Sequence, residues 1–552
     1  MLAPWGVCLA GLLAASALQL ALGHPQGLTA YFFLAQDCAA TAVCVALLAM
    51  LFAVQPPPLA LPAVGSGWPT ASLMAGVVFL FAAVATKPVY DGYALSMDEF
   101  MAVFDARIFR AGHWTAQLPA AWREYAPALQ PIFVLSPPDH AQWISGYEPM
   151  NAALQAIGAF VGAEALVSPV LAAVAVLATY GVGRRLWPER KEIALAAALL
   201  LATSSQVLVT AMTPYAMTAH LALNMVWLWL LFRGGRLGHG LAPAVAFVAT
   251  GLHQIVFHPL FAAPFVLELW LARRWKAAAW HSCAYAAIGA FWMAYPGLLA
   301  HHMASSQQAA AFAAQTGVVT RALSLFAALD ADGLGLMAQN LVRLFTWQSL
   351  LTVPLALATL GAAVCAKGML RAMVVGLALT TAAMCLLLPY QGHGWGYRYL
   401  HGLLGTLCLL AAWGWTRLTK DVDAALRRSA QVVFVAAAVV SAAILLPLRL
   451  WQVHSFVQPY ATAERAIQAN PADVVLVDSE ALWFGSDLVR NDPFLVRRPW
   501  VMKVGKLSQA QIDDLCARFR VSVFGPAQAR AVGIAVKPMD NHSRPRPACE
   551  HQ

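Results

Sequence analysis

The chain has 552 residues, of which 60% are hydrophobic and 11% charged, with a formal net charge of +9. A soluble domain carries about 25% charged residues, so this composition excludes a water-soluble globule, and the mean hydropathy of +0.64 points to a chain solvated by lipid. The basic excess is spread over short loops rather than gathered into one patch, which excludes nucleic acid as a partner.

A helix needs about 20 apolar residues to cross a bilayer. Such runs occur at 3–22, 28–54, 70–87, 164–186, 192–210, 215–232, 239–252, 255–271, 277–299, 349–366, 371–389, 398–416 and 429–449. They predict an all-α polytopic membrane protein of about thirteen transmembrane helices. The first run lacks a basic leader and is followed at once by a second, so it reads as a span rather than a signal peptide. A shorter run at 149–161 is expected to be re-entrant or interfacial.

Orientation follows from Lys and Arg in the short loops. Arg184, Arg185, Arg190 and Lys191 share one loop, Arg233 and Arg236 another, and Arg273, Arg274 and Lys276 a third. Lys367 and Arg371 mark a fourth, and Arg417, Lys420, Arg427 and Arg428 a fifth. All five fall on one face of the predicted topology, which is then cytoplasmic. Three long segments, 88–148, 300–348 and 453–552, come to lie outside, with the short loop 390–397. The expected location is a bacterial inner membrane with these loops and the C-terminus in the periplasm. ATP is absent there, so any chemistry must draw on an already activated substrate.

In the first outer loop, Ser96 or Asp98 is a helix N-cap and Gly112 a stop. Between them Met97, Phe100, Met101, Phe104 and Ile108 share one face, predicting an amphipathic helix on the membrane surface. Its first turn carries the carboxylate pair Asp98-Glu99, which is either a simple cap or a reactive pair. Downstream, Trp143 and Tyr147 suit an interfacial aromatic belt, and Pro149 suits a first helical turn. Within the membrane, Asp37, His220, Asn224, His253 and His258 are candidate functional groups. The segment 300–348 holds amphipathic runs, Ala309–Ala314 and Leu323–Leu329, read as surface helices. The loop 389–401 has three alternating glycines, which admit a close backbone approach, before Arg398, whose planar fork suits a carboxylate or phosphate.

After 452 the chain alternates a strand-like 473–478, a helical 508–519 and a strand-like 521–524, predicting a small C-terminal α/β extracytoplasmic domain. The nine cysteines lack metal-ligand spacing. Cys516 and Cys549 stand in the polar tail and are able to pair if it is extracytoplasmic.

These motifs together resemble the GT-C class of polyprenyl-phosphate-sugar-dependent glycosyltransferases, which includes the protein O-mannosyltransferases and the lipid A aminoarabinose transferase. The resemblance rests on Asp98-Glu99 ahead of an amphipathic helix and on Tyr147-Glu148-Pro149 followed by Ala153-Leu154-Gln155 and Gly158. It also rests on Gly181-Val182-Gly183-Arg184-Arg185-Leu186-Trp187 and on Gly396-Tyr397-Arg398-Tyr399, and it covers residues 70–420. It implies a sugar donor linked to a polyprenyl phosphate, a lipid, glycan or protein acceptor, and inverting transfer. It also implies Asp98 as general base, with Glu99 supporting it or binding a divalent metal. Arg398 would stabilise the departing phosphate, and Tyr147, Tyr397, His253 and His258 would line the sugar site. The catalytic loop follows the first span in that class and the third here. Residues 1–65 would then be two added helices, 66–452 the core and 453–552 the C-terminal domain. No metal trio accompanies Asp98-Glu99, and no cofactor is otherwise implied. The alternative is a membrane transporter or lipid flippase, which paired charges within the membrane would favour.

Overall fold

The computed structural model describes residues 27–53, 67–304, 332–366 and 368–538. The predicted span 3–22, the runs Ala309–Ala314 and Leu323–Leu329, and Cys549 lie outside the described residues. Every predicted span inside them is helical. The helices long and apolar enough to cross a membrane are Leu28–Ala53, Trp68–Tyr90, Glu164–Leu186, Trp275–Met303, Met369–Leu387 and Ala424–Gln468. Two predicted spans are broken in the structure. Run 192–210 splits into Lys191–Ala202 and Ser205–Thr210, where Ser204 caps the second piece, and run 349–366 splits into Thr352–Ala358 and Leu360–Cys365.

The chain divides into two compact units. The first comprises Met1–Ala85, Ala165–Ala294 and Val318–Gln452. One of its helices buries mostly small residues and turns several large ones outward. On Trp68–Tyr90, Ala71, Ala75, Val78 and Ala82 are buried, while Leu73 and Leu80 are 69% and 62% exposed. That distribution inverts a soluble helix and suits packing in lipid, where close backbone approach replaces hydrophobic collapse. Gly183 shows how close the approach is, since a Cβ there would lie 2.8 Å from Ala194 Cα on the next helix. The Gly181–Trp187 motif is thus a packing device at a helix end.

The second unit comprises Thr86–Glu164, Tyr295–Gly317 and Val453–Gln552. Strands β1 (Ala116–Gln117), β2 (Val134–Leu135) and β3 (Gln142–Ser145) form an antiparallel sheet in the order β1-β3-β2. Strands β4 (Val474–Val477), β5 (Trp500–Lys503) and β6 (Val521–Phe524) form a parallel sheet in the order β5-β4-β6. The helix Gln509–Arg518 connects β5 to β6.

Residues of the first long loop and of the C-terminal segment share one core in this unit. Phe104, Trp122, Leu129 and Trp143 belong to the same buried cluster as Val474, Leu476, Trp500 and Leu515. Trp122 packs on Trp500 at a ring-centroid distance of 4.4 Å. Trp143 Nε1 donates to Pro493 O at 2.7 Å, and Asn491 Nδ2 to Leu129 O at 2.7 Å. The apolar face of Met97–Arg110 is therefore not laid on lipid. Met97, Phe100, Met101, Phe104 and Ile108 are all buried in protein, because the Val474–Phe524 layer offers an apolar surface that a single-helix reading cannot see. Trp143, expected in an interfacial belt, is fully buried in that core.

Candidate functional site

The carboxylate pair sits at the start of the helix Met97–Arg110. Ser96 Oγ accepts from Glu99 N at 3.2 Å, and Glu99 Oε2 accepts from Ser96 N at 2.9 Å, a reciprocal capping box. Glu99 is buried in this role. Asp98, one residue earlier, is only half-buried, and its Oδ1 accepts from the Tyr147 hydroxyl. Of the residues expected in this region, the structure thus brings Asp98 and Tyr147 together and makes Glu99 a cap.

The C-terminal segment fixes the approach to this helix. Arg490 stacks on Tyr93 and Phe100, with its guanidinium carbon 3.8 Å and 5.1 Å from the ring centroids. Its Nη2 donates to Leu95 O at 3.2 Å, and its Nε to Asp487 O at 2.7 Å. Behind the helix start lies Asp105, fully buried, whose Oδ1 accepts from Ser145 N at 3.0 Å and whose Oδ2 accepts from Ser145 Oγ. Burial pushes the Asp105 carboxyl up to about 7, against the two Ser145 hydrogen bonds, which pull it down.

The other expected residues lie in the first unit. Arg398 opens a 3-10 turn, Arg398–Leu403, that runs into the helix Leu404–Leu418. Its side chain folds back over its own loop. Nη1 donates to His393 O at 2.8 Å and to the Tyr215 hydroxyl, and Nη2 donates to the Tyr399 hydroxyl at 3.0 Å. The backbone N of Arg398 is held by Gln391 Oε1 at 3.0 Å. Gly394 makes room for this fold, since a Cβ there would meet Arg398 Cδ at 2.9 Å and its φ is +149°. Around the guanidinium stand Tyr399 and Tyr215, with centroids at 4.9 Å and 5.9 Å, and His253 packs edge-on against Tyr215. Tyr399 stacks on Phe257, and the two line a small cavity with Met217, His220, Asn224, Gly402 and Leu403.

Tyr397 and His258 point into the helix packing. Tyr397 is fully buried, its hydroxyl donates to Met337 Sδ at 3.3 Å, and its carbonyl accepts from Gln206 Nε2 at 3.0 Å. His258 has both ring nitrogens engaged, Nδ1 with Asn224 Oδ1 at 2.7 Å and Nε2 with the Tyr285 hydroxyl at 2.9 Å.

Asp37 proves to be paired. Its Oδ2 lies 2.9 Å from Arg343 Nε and its Oδ1 2.9 Å from Arg449 Nη2, and all three side chains are essentially inaccessible. Trp347 Nε1 adds a bond to Asp37 Oδ1 at 2.8 Å. Arg343 Nη2 also donates to Gly394 O at 2.8 Å, so the cluster anchors the loop that carries Arg398. Sequence reasoning found Asp37 but neither arginine. Arg343 falls in a mixed segment and Arg449 at the end of a span, and the signal was that a buried carboxylate requires a cation from another helix. Asp105, Ser145, Tyr215 and Arg490 were also missed, because their roles come from partners distant in the chain.

Among the described residues, no group of three or more His, Cys, Asp or Glu is placed to hold a metal ion. Glu99 is turned to its cap, so the residues around Asp98 do not make a ligand set, and no step is assigned to a metal.

No family model matches the sequence, and no curated protein matches it. Among solved structures the chain is similar to ArnT from Cupriavidus metallidurans bound to undecaprenyl phosphate. The TM-score is 0.53 and the identity 14%, over 82% of this chain and 89% of that one. It is also similar to the oligosaccharyltransferase of Archaeoglobus fulgidus in the apo form, with a TM-score of 0.45 and 13% identity, over 77% of this chain and 64% of that one. ArnT is a GT-C aminoarabinose transferase, and the likeness to it shows a GT-C fold for this multi-pass membrane protein.

Proposed function

We propose that this chain is a membrane glycosyltransferase that moves a sugar from a polyprenyl-phosphate donor to a lipid, glycan or protein acceptor, with inversion. The observation that carries the reading is Asp98, partly accessible at a helix N-terminus and held by the Tyr147 hydroxyl, in a chain with the ArnT fold. ArnT was solved with undecaprenyl phosphate, and that lipid is the expected carrier here.

Asp98 takes the proton from the acceptor hydroxyl or amine as that group attacks the anomeric carbon. The carbon–oxygen bond to the lipid phosphate breaks on the opposite side, and the electron pair leaves on phosphate. Arg398, flanked by the Tyr215 and Tyr399 hydroxyls, meets that charge with a planar fork suited to phosphate oxygens. The step draws on an already activated donor rather than on ATP. The reaction is placed on the extracytoplasmic face of a bacterial inner membrane, where the donor is already activated. The basic residues of the short loops support that orientation.

The Asp37–Arg343–Arg449 cluster is the paired charge that would favour a transporter. Its arms close on protein groups and on the Arg398 loop, which supports a holding role instead. The test is release of undecaprenyl phosphate by the purified protein from a panel of undecaprenyl-phosphate-linked sugars, with a mixed acceptor extract. Turnover by the wild type and a loss of about 100-fold or more in Asp98→Asn is the expected result for a general base. Equal turnover in that variant removes Asp98 from the chemistry. Movement of the intact donor across proteoliposomes without release would establish the transporter.

A further inference from the structure

Three side chains link the buried interior of the second unit to the candidate base. Asp105 lies two turns along the helix from Asp98 and has no accessible surface of consequence. It accepts from both the backbone N, at 3.0 Å, and the hydroxyl of Ser145, at the end of β3. Ser145 Oγ in turn accepts from Tyr147 N at 3.4 Å. The Tyr147 hydroxyl donates to Asp98 Oδ1. The path leaves the helix at Asp105, crosses to the strand end, turns through Gly146, and returns to the same helix at Asp98.

The second fastening of this turn comes from β2. Gly146 N donates to Phe133 O at 2.7 Å, and Val134 pairs with Ser145. The tyrosine ring lies against Phe133, with centroids 5.5 Å apart. The Ser145-Gly146-Tyr147 turn is therefore pinned by backbone on one side and by Asp105 on the other. A carboxylate buried at some energetic cost is an odd choice for packing alone, since an apolar residue would fill the space more cheaply. What it supplies is direction, because two acceptor oxygens fix both the N–H and the hydroxyl of one serine.

From this geometry we infer that Asp105 is a positioning residue of the transferase. Through Ser145 it sets the place of the Tyr147 hydroxyl and thereby orients the Asp98 carboxylate toward the acceptor. The inference rests on the reading of Asp98 as the base. Asp105 touches no substrate. Its removal acts on the turnover number through Asp98 and leaves donor binding nearly unchanged, because the groups assigned to the phosphate are others.

The experiment uses the full chain in detergent with 3-fluorotyrosine installed at position 147. The fluorine resonance is compared in the otherwise wild-type chain and in Asp98→Asn, Asp105→Asn, Ser145→Ala and Ser145→Thr. Asp98→Asn marks the signal of a tyrosine that has lost its carboxylate. The expected result is that Asp105→Asn and Ser145→Ala move the resonance toward that mark, while Ser145→Thr stays near wild type. In the same preparations undecaprenyl phosphate release falls about 10- to 100-fold in kcat with little change in KM, the scale of a misplaced catalytic group. A resonance at its wild-type position in Ser145→Ala overturns the inference, and this variant decides the matter if Asp105→Asn does not fold. A resonance that moves while the wild type releases nothing from any donor separates the two claims. The coupling of Asp105 to Tyr147 then stands, and the transferase reading falls.

Discussion

Asp37 and Asp105 are both fully buried carboxylates, and each stands behind a loop that carries a candidate reacting group. Asp37, in the first unit, meets two arginines from two other helices, and one of them, Arg343, anchors Gly394, four residues before Arg398. Asp105, in the second unit, meets one serine and anchors the turn that holds Tyr147. The difference follows from the surroundings. Among lipid-facing helices a buried charge needs an opposite charge, and here two arginines answer one aspartate. Among the described residues of the second unit no cation pairs with Asp105, so burial acts on the carboxyl itself and raises it to about 7. One anchor is an ionic cluster. The other is a hydrogen-bonded group able to change protonation near neutral pH.

The contrast is broken most sharply by removing Asp37. Asp37→Ala leaves Arg343 and Arg449 buried together without their counter-charge, which costs about 3–5 kcal/mol. The expected outcome is loss of a monodisperse peak and a large fall in the unfolding midpoint in detergent. Replacing Asp37, Arg343 and Arg449 together by leucine and methionine recovers most of that midpoint, since a well-packed apolar cluster substitutes for a buried ionic one. Failure of the triple variant to recover would mean that the charges do more than hold the helices.

The second test separates the two aspartates by pH. The carboxyl of Asp105 is about 7 in the folded chain, against an unfolded value of about 3.9. The folded state binds the proton more tightly, so its stabilising contribution is full below pH ~4 and is lost as pH rises through about 7. The effect is on the order of a few kcal/mol for a shift of this size. Unfolding midpoints measured from pH 5 to 8 should fall with pH in the wild type and flatten in Asp105→Asn. Parallel curves for the two proteins would show that Asp105 is not the titrating group.

Smaller effects test the Arg398 loop. Gly394→Ala puts a Cβ 2.9 Å from Arg398 Cδ at a φ of +149°, a strain of about 1–3 kcal/mol. Weaker binding of undecaprenyl phosphate, read by displacement of a fluorescent lipid, is the expected result, with the second unit unaffected. Smallest of all is Tyr397→Phe. It removes one hydroxyl–sulfur contact of 3.3 Å in the helix core, worth under about 1 kcal/mol. Turnover should hardly change, and a large loss would return Tyr397 to the substrate.

Several elements were plain in the sequence because their physics is local. The apolar runs, an N-cap at Ser96 or Asp98 and the strand-like Val474–Val477 and Val521–Phe524 needed only composition, spacing and period. Asp98 was a candidate for the same reason, as an acidic residue in a first helical turn. The amphipathic face of Met97–Arg110 was legible, but its partner was not, since an apolar stripe fits lipid and a protein core equally well. Glu99, a candidate support for Asp98, and Tyr397, a candidate sugar contact, have partners that only the fold shows, a capping bond for one and a sulfur contact in the helix core for the other.

The sequence by itself determined that this chain lives in a membrane and where most of its helices run, and it marked candidates for the chemistry. Hydropathy, capping and charge bias are properties of short windows, and short windows are what a sequence displays. Tertiary structure decided which of those residues meet. Asp37 with Arg449 and Trp143 with Pro493 are joined across hundreds of residues. The same physical rule brings them together in each case, that a buried polar group must find its partner wherever the fold provides one.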